Sequence, residues 1–225
     1  MPKILVTGGL GYIGSHTVVE LHNQGYEVII IDDLSNTSLN VLSNVCKITN
    51  SSLNFVELDL KNSVKTKEFI SNNNDIDGVI HFAASKAVGE SVEDPLKYYN
   101  NNLSSMINLL KELIKLNRQI NFIFSSSATV YGKPINLPIT EFEPIKKAES
   151  PYGNTKQIGE EIIRDLVISN SNFKAISLRY FNPIGAHSSS LIGELPIGVP
   201  QNLVPYITQT AIGIRKELTV FGNNY

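Results

Sequence analysis

The sequence predicts an α/β fold, a doubly wound parallel sheet followed by the beginning of a smaller C-terminal domain. Short β-branched runs alternate with longer amphipathic stretches from the N-terminus to Arg179. The first run, residues 3–7, passes directly into glycines at 8, 11 and 14. After Arg179 the rhythm stops: residues 186–200 are rich in Ser, Gly and Pro and keep no period. Strands separated by helices imply parallel pairing with right-handed crossovers and helices on both faces, a Rossmann-like arrangement. We therefore expect one domain over residues 1–180 and the start of a second over 181–225.

Residues 3–7 are short, β-branched and closed by glycine, the pattern of a buried strand. A helix is predicted over 12–24, and further strands over 27–32, 54–57, 78–82, 121–125 and 174–179. The clearest helix is 95–117, where Leu96, Tyr99, Leu103, Ile107, Leu110 and Ile114 recur every three or four residues behind a first-turn Pro95. Another, over 152–169, carries Ile158, Ile162 and Leu166, widened by Ile163 and Val167, as the face expected to pack on the sheet. A last helix is predicted over 203–215 and a strand beginning at 218–221. Gly222-Asn223-Asn224 is a turn signal at the end of the chain, from which we expect an incomplete domain.

With 42% hydrophobic and 18% charged residues the chain has the composition of a folded domain. A net charge of -2 without a basic run excludes the electrostatic footprint of nucleic-acid or anionic-membrane binding and points to a small-molecule partner. A single cysteine, Cys46, forms no internal disulfide, and the N-terminus has neither a secretory nor a transit composition, so the cytoplasm is the expected compartment. Apolar runs such as 28–31 fall far short of the roughly 20 residues of a membrane span. His16, His22, His81 and His187 are scattered without ligand spacing, so no metal is expected. Gly89-Glu90-Ser91-Val92-Glu93 lacks the closing glycine of a nucleophile elbow.

Three local patterns carry chemistry. Gly8, Gly11 and Gly14 lie between a strand and a helix, where bare backbone N–H groups attract a pyrophosphate that side chains would keep away. Asp32, about 18 residues on at the end of the second strand, suits the ribose of NAD and repels the 2′-phosphate of NADP; its neighbour Asp33 could fill the same role. Tyr152 and Lys156 stand four apart on one helix face, so the ammonium is expected to depress the phenol and leave Tyr152 a general base near neutral pH. The hydroxyls of Ser125-Ser126-Ser127, at the carboxyl end of the fifth strand, can face a ligand, cap a helix or close a turn.

Six segments, TGGLGYIGSH at 7–16, IDDLSN at 31–36, VIHFAASKAVGESVEDPLKYY at 79–99, NFIFSSSATVYG at 121–132, SPYGNTK at 150–156 and LRYFNPIGAH at 178–187, give the chain a close resemblance to the extended short-chain dehydrogenase/reductase superfamily. Within it the chain resembles the UDP-glucose 4-epimerase family. The resemblance implies NAD-dependent epimerisation at carbon 4 of a UDP-hexose, by transient oxidation to a 4-keto sugar and return of the hydride. Tyr152, Lys156 and Ser127 would be the catalytic residues. Gly8, Gly11, Gly14, Tyr12 and Ile13 would line the pyrophosphate, Asp32 and Asn36 the adenosine ribose, and Asp59 and Leu60 the adenine. Phe82, Ala83, Ala84, Lys86, Asn101, Ser125, Tyr152, Lys156 and Tyr180 would complete the cofactor groove. On the substrate side stand Ser127, Tyr152, Phe181, Asn182, Asn202 and Leu203.

Ala128-Thr129 stands where the related 4,6-dehydratases carry an acidic pair, which disfavours dehydration; uronate epimerase or decarboxylase chemistry stays open. The same resemblance implies a homodimer through helices 95–117 and 152–169. It also implies further chain beyond residue 225, with an arginine for the diphosphate and a residue that limits an N-acetyl group. Without that part, a catalytically impaired NAD-binding fragment is the alternative.

Overall fold

The computed structural model describes residues 1–220, 222 and 223. Its framework is six parallel strands, β1 (Lys3–Thr7), β2 (Glu27–Asp32), β3 (Asn54–Glu57), β4 (Gly78–His81), β5 (Ile120–Ser127) and β6 (Phe173–Tyr180), in the order β3-β2-β1-β4-β5-β6. The chain starts mid-sheet at β1, winds out to β3, and returns to pair β4 with the other side of β1. That reversal makes the carboxyl ends of β1 and β4 diverge and opens a crevice, the place where open parallel sheets bind ligands.

Both faces are covered, and the strands show why. Leu5, Ile29, Ile31, Val79, Phe122 and Phe124 join one apolar cluster, while the alternate residues Val6, Val28 and Ile30 join another. The first is closed by α3 (Ser63–Asn72), α6 (Ser105–Lys115) and α7 (Pro151–Ser169), through residues such as Phe69, Leu109, Leu113 and Ile163. The second is closed by α1 (Tyr12–Asn23) and α2 (Leu39–Thr49), through Val18, Val19 and Val45. Strands buried on both sides need near-continuous apolar sequence, which residues 28–31 supply.

The segment 95–117 is three pieces instead of one helix: α5 (Pro95–Tyr99), a π-helical turn Asn100–Ser104, and α6. Short α4 (Val88–Glu93) precedes them. The buried side is Tyr98, Asn102, Ser105, Met106, Leu109, Leu110 and Leu113, whereas Leu96 is 78% exposed and Tyr99, Leu103, Ile107 and Ile114 are half-buried. Counting apolar residues selects the neighbouring stripe because the packed side contains the polar Asn102 and Ser105, and the π turn shifts the phase.

α7 departs only in part. Ile163 joins the apolar cluster on the sheet and Ile162 and Leu166 pack against it, as expected, while Lys156, Gly159 and Glu160 complete the buried side; Ile158 is half-buried away from that cluster and Val167 is exposed. Gly159 sets the approach, since a Cβ there would stand 2.7 Å from Cζ of Phe124. β5 runs two residues further than predicted, so Ser126 and Ser127 belong to the strand. The last helix, α8 (Leu203–Ala211), stops short of residue 215, with Gly213 at φ +78 just beyond it. Residues 218–220 form no strand, and Phe221 lies outside the described residues. Among the described residues no helix is long and apolar enough to cross a membrane, and no group of three or more His, Cys, Asp or Glu could hold a metal ion.

Candidate active site

The crevice begins at the glycine turn between β1 and α1. Gly8 has φ +66, and a Cβ there would meet the Ala83 backbone nitrogen at 2.7 Å. At Gly14 a Cβ would stand 2.2 Å from the Gly8 carbonyl oxygen and 2.8 Å from Gly9 Cα. Both positions therefore require glycine if the turn is to stay closed. α1 is capped by Gly11, which offers no side chain to its first N–H groups.

Asp32 closes the far side of this turn. Its Oδ2 accepts from Leu10 N–H at 3.1 Å and its Oδ1 from Leu34 N–H at 3.0 Å. Burial raises its pKa above the ordinary carboxylate value, opposed by those backbone N–H groups. Each carboxylate oxygen retains a free lone pair for a ligand hydroxyl. Asp33 instead holds the exposed turn, accepting from Ser35 N–H and Oγ–H. A closed glycine cradle beside a buried carboxylate fits the pyrophosphate and ribose of a dinucleotide.

At the other end of the crevice α7 brings its N-terminal turns over the end of β5. Ser150 caps the helix by accepting from Gly153 N–H at 3.1 Å, with Pro151 in the first turn. The Lys156 ammonium donates to the Ser125 carbonyl at 2.7 Å, lies 4.9 Å from the Phe124 ring centroid, and is pushed down to about 8 by burial. It is 5.8 Å from the Tyr152 ring centroid. The expected depression of Tyr152 by Lys156 is not what this geometry gives. Burial raises the Tyr152 pKa, and the opposing influence is the neighbouring Ser127 hydroxyl. The lysine spends its hydrogen bond on the strand, and its own charge is disfavoured where it sits. His81 lies at the end of β4, bonded to the Thr7 hydroxyl at 2.7 Å and held neutral by burial and the nearby lysine, with a pKa of about 3.

The predicted residues converge on one crevice. The glycine turn, Tyr12, Ile13, Asp32, Asn36, Asp59, Leu60, Phe82, Ala83, Ala84, Lys86 and Asn101 line it together with Ser125, Ser127, Tyr152, Lys156, Tyr180, Phe181, Asn182 and Asn202. Leu203 is the exception. As the first residue of α8 it is 66% exposed and stands outside the lining that its neighbour Asn202 joins.

Sequence reasoning missed the strap formed by residues 185–194. It reaches from β6 back to the N-terminal half and is closed by a bridge between Ala186 and Gly193. Its Ile192 is buried in the cluster beneath α1 and α2. The Tyr12 hydroxyl donates to the Gly185 carbonyl at 2.8 Å and the Asn44 amide to the Leu191 carbonyl at 2.9 Å. Glu194, which lines the crevice, accepts from Lys86 at 3.3 Å and from Asn202 at 2.5 Å, joining the loop after β4 to the start of α8. A lone isoleucine and a glutamate in a stretch without period give no sequence signal.

This sheet order, with a glycine turn at one end of the crevice and a Ser-Tyr-Lys group at the other, defines a dinucleotide-binding α/β protein of the short-chain dehydrogenase/reductase type. The chain belongs to the NAD dependent epimerase/dehydratase family, whose model matches residues 4–223. It is 52% identical to the UDP-glucose 4-epimerase of Dictyostelium discoideum over 223 residues, covering 99% of this chain and 64% of that protein. To the UDP-glucose 4-epimerase of Bacillus subtilis it is 51% identical, covering 99% and 65%. A crystal structure of UDP-glucose 4-epimerase from Bifidobacterium longum in complex with NAD+ and UDP superposes with a TM-score of 0.94 at 47% identity, covering 99% of this chain and 66% of that one. The chain thus spans about two thirds of the length of these relatives.

Proposed function

We propose that this chain carries the NAD site and the reacting centre of a UDP-hexose 4-epimerase. The observation that carries the proposal is the convergence of Ser127, Tyr152 and Lys156 at the end of β5, in the same crevice as the glycine turn and Asp32. NAD, when bound, supplies a reversible hydride acceptor. Gly8, Gly11, Gly14, Tyr12 and Ile13 would hold its pyrophosphate, Asp32 and Asn36 its adenosine ribose, and Lys156 its second ribose. Tyr152, as phenolate, takes the proton of the sugar 4-hydroxyl and later returns it, and return of the hydride would leave no net oxidation. Ser127 hydrogen-bonds that hydroxyl, and Phe181, Asn182 and Asn202 face the nucleotide diphosphate. Residues 1–180 form the cofactor unit and 181–225 open the substrate unit.

The test is to incubate the purified protein with NAD and UDP-galactose and assay for UDP-glucose. Product at a rate above the Tyr152→Phe variant is expected. No product under conditions where a full-length relative turns over defeats the epimerase reading in favour of an NAD-binding unit without turnover.

The compartment we propose is the cytoplasm, in keeping with the single unpaired Cys46. We also propose a homodimer formed through α5–α6 and α7. Leu96 and Ile168 are exposed along these helices at 78% and 79%. Leu96→Lys should then convert dimer to monomer in sedimentation; a parent that already sediments as a monomer overturns this.

A further inference from the structure

We propose that Glu160 and Arg179 are positioning residues that hold Ser127 in place by gripping the chain on both sides of it. The inference rests on the epimerase reading for the role of Ser127, while the geometry stands alone.

Glu160 lies one turn beyond Lys156 on α7, and its side chain is 5% exposed. Its Oε1 accepts from the Ser126 hydroxyl at 2.5 Å and from Arg179 Nε at 2.9 Å, and its Oε2 accepts from Arg179 Nη2 at 2.7 Å. Arg179 pairs with Ser126 in the β5–β6 register, and its guanidinium lies 4.8 Å over the Tyr131 ring. Tyr131 ends the 3-10 turn Ala128–Tyr131, which follows Ser127 directly. One carboxylate therefore ties down the residue before Ser127, and its arginine partner presses on the turn after it.

Stability alone does not require this pair. Gly159 against Phe124, Ile163 and the β5–β6 ladder already join α7, β5 and β6. Burying two charges is also a poor route to stability compared with apolar packing. A bidentate arginine–carboxylate pair fixes direction as well as distance. It stands where the ladder ends and where a displacement of about 1 Å would cost rate.

The consequence reaches Tyr152, because the Ser127 hydroxyl is the group that opposes the upward push of burial on that phenol. The other groups facing Tyr152 are Lys156 on its own helix and Tyr98 of α5, whose hydroxyl donates to Glu90 of α4; His81 of β4 lies beyond Lys156. None of them is hydrogen-bonded to the side chain of Glu160 or Ser126.

The experiment compares Glu160→Gln and Ser126→Ala with the parent, all loaded with NAD. Ser126→Ala deletes a single hydroxyl and carries the test if Glu160→Gln does not fold. We expect kcat to fall at least tenfold with KM for UDP-galactose within twofold, and the acid limb of the kcat–pH profile to move up by half a unit or more. Ile163→Val, a core change on the same helix, should lower Tm and leave that limb in place. A loss of kcat without the shift, or a kcat above half the parent value, overturns the clamp. If the parent turns over no UDP-hexose, the epimerase reading fails instead. The clamp is then judged by phenolate absorbance, parent minus Tyr152→Phe: a raised Tyr152 titration in Ser126→Ala supports it and an unmoved one overturns it.

Discussion

The Lys156 ammonium donates to the Ser125 carbonyl at 2.7 Å, so the helix-borne cation is attached to the strand and not to the Tyr152 hydroxyl. This fixes its position in a buried place where its charged form is disfavoured, with a pKa lowered to about 8. The unfolded chain then holds the Lys156 proton between pH 8 and about 10.5 while the folded chain releases it. Stability contributed through this residue should rise across that window, by about 1.4 kcal/mol per pH unit at most. Urea melts of dinucleotide-free parent and Lys156→Met at pH 7 and pH 10 check it. The parent should gain on the variant as pH rises; a constant difference refutes the assignment.

Tyr152→Phe removes one hydroxyl and no bulk. Turnover should drop by about 10²–10⁴, the usual contribution of a positioned proton-transfer group. Bound NAD and Tm should be close to those of the parent. Retention of most of the rate would assign the base elsewhere.

Gly14→Ala places a Cβ within 2.2 Å of a backbone oxygen, which no rotamer change relieves. The turn has to open, at a cost of about 1–3 kcal/mol typical of overpacking. Calorimetry should show a lower Tm, and the purified variant should carry less NAD than the parent.

Asp32→Ser keeps a small polar group and removes the charge. Because both Asp32 oxygens also anchor Leu10 and Leu34, the variant should loosen the turn as well as lose a ribose acceptor. NAD affinity is expected to fall about tenfold, the effect of roughly 1.4 kcal/mol. NADP affinity should fall less, since the charge that repels its 2′-phosphate is gone. Isothermal titration with both dinucleotides measures the ratio.

What was readable in the sequence depended on whether a residue's partners are its neighbours. The glycine turn, Asp32 and the Tyr152/Lys156 spacing are local patterns, and the structure brings all of them to one crevice. Glu160 and Arg179 meet only because β5 and β6 pair in one register, so neither residue stands out in the chain. The packed side of α5–α6 was obscured by Asn102, whose amide is satisfied by Ser85 and Thr155 and therefore sits in the core at little cost. The direction of the Tyr152 shift is hidden for another reason: spacing on a helix places two side chains on a face and says nothing about how deeply the face is buried.

The Ile192 strap bears on how a ligand leaves the crevice. Withdrawing that side chain from under α1 and α2 exposes apolar surface worth about 1.5–3 kcal/mol, besides the hydrogen bonds to Asn44 and Tyr12. A dinucleotide lying beneath the strap would leave only through molecules in which the strap has lifted, so exchange would be slowed about tenfold for each 1.4 kcal/mol of opening cost, in addition to what the dinucleotide's own contacts contribute.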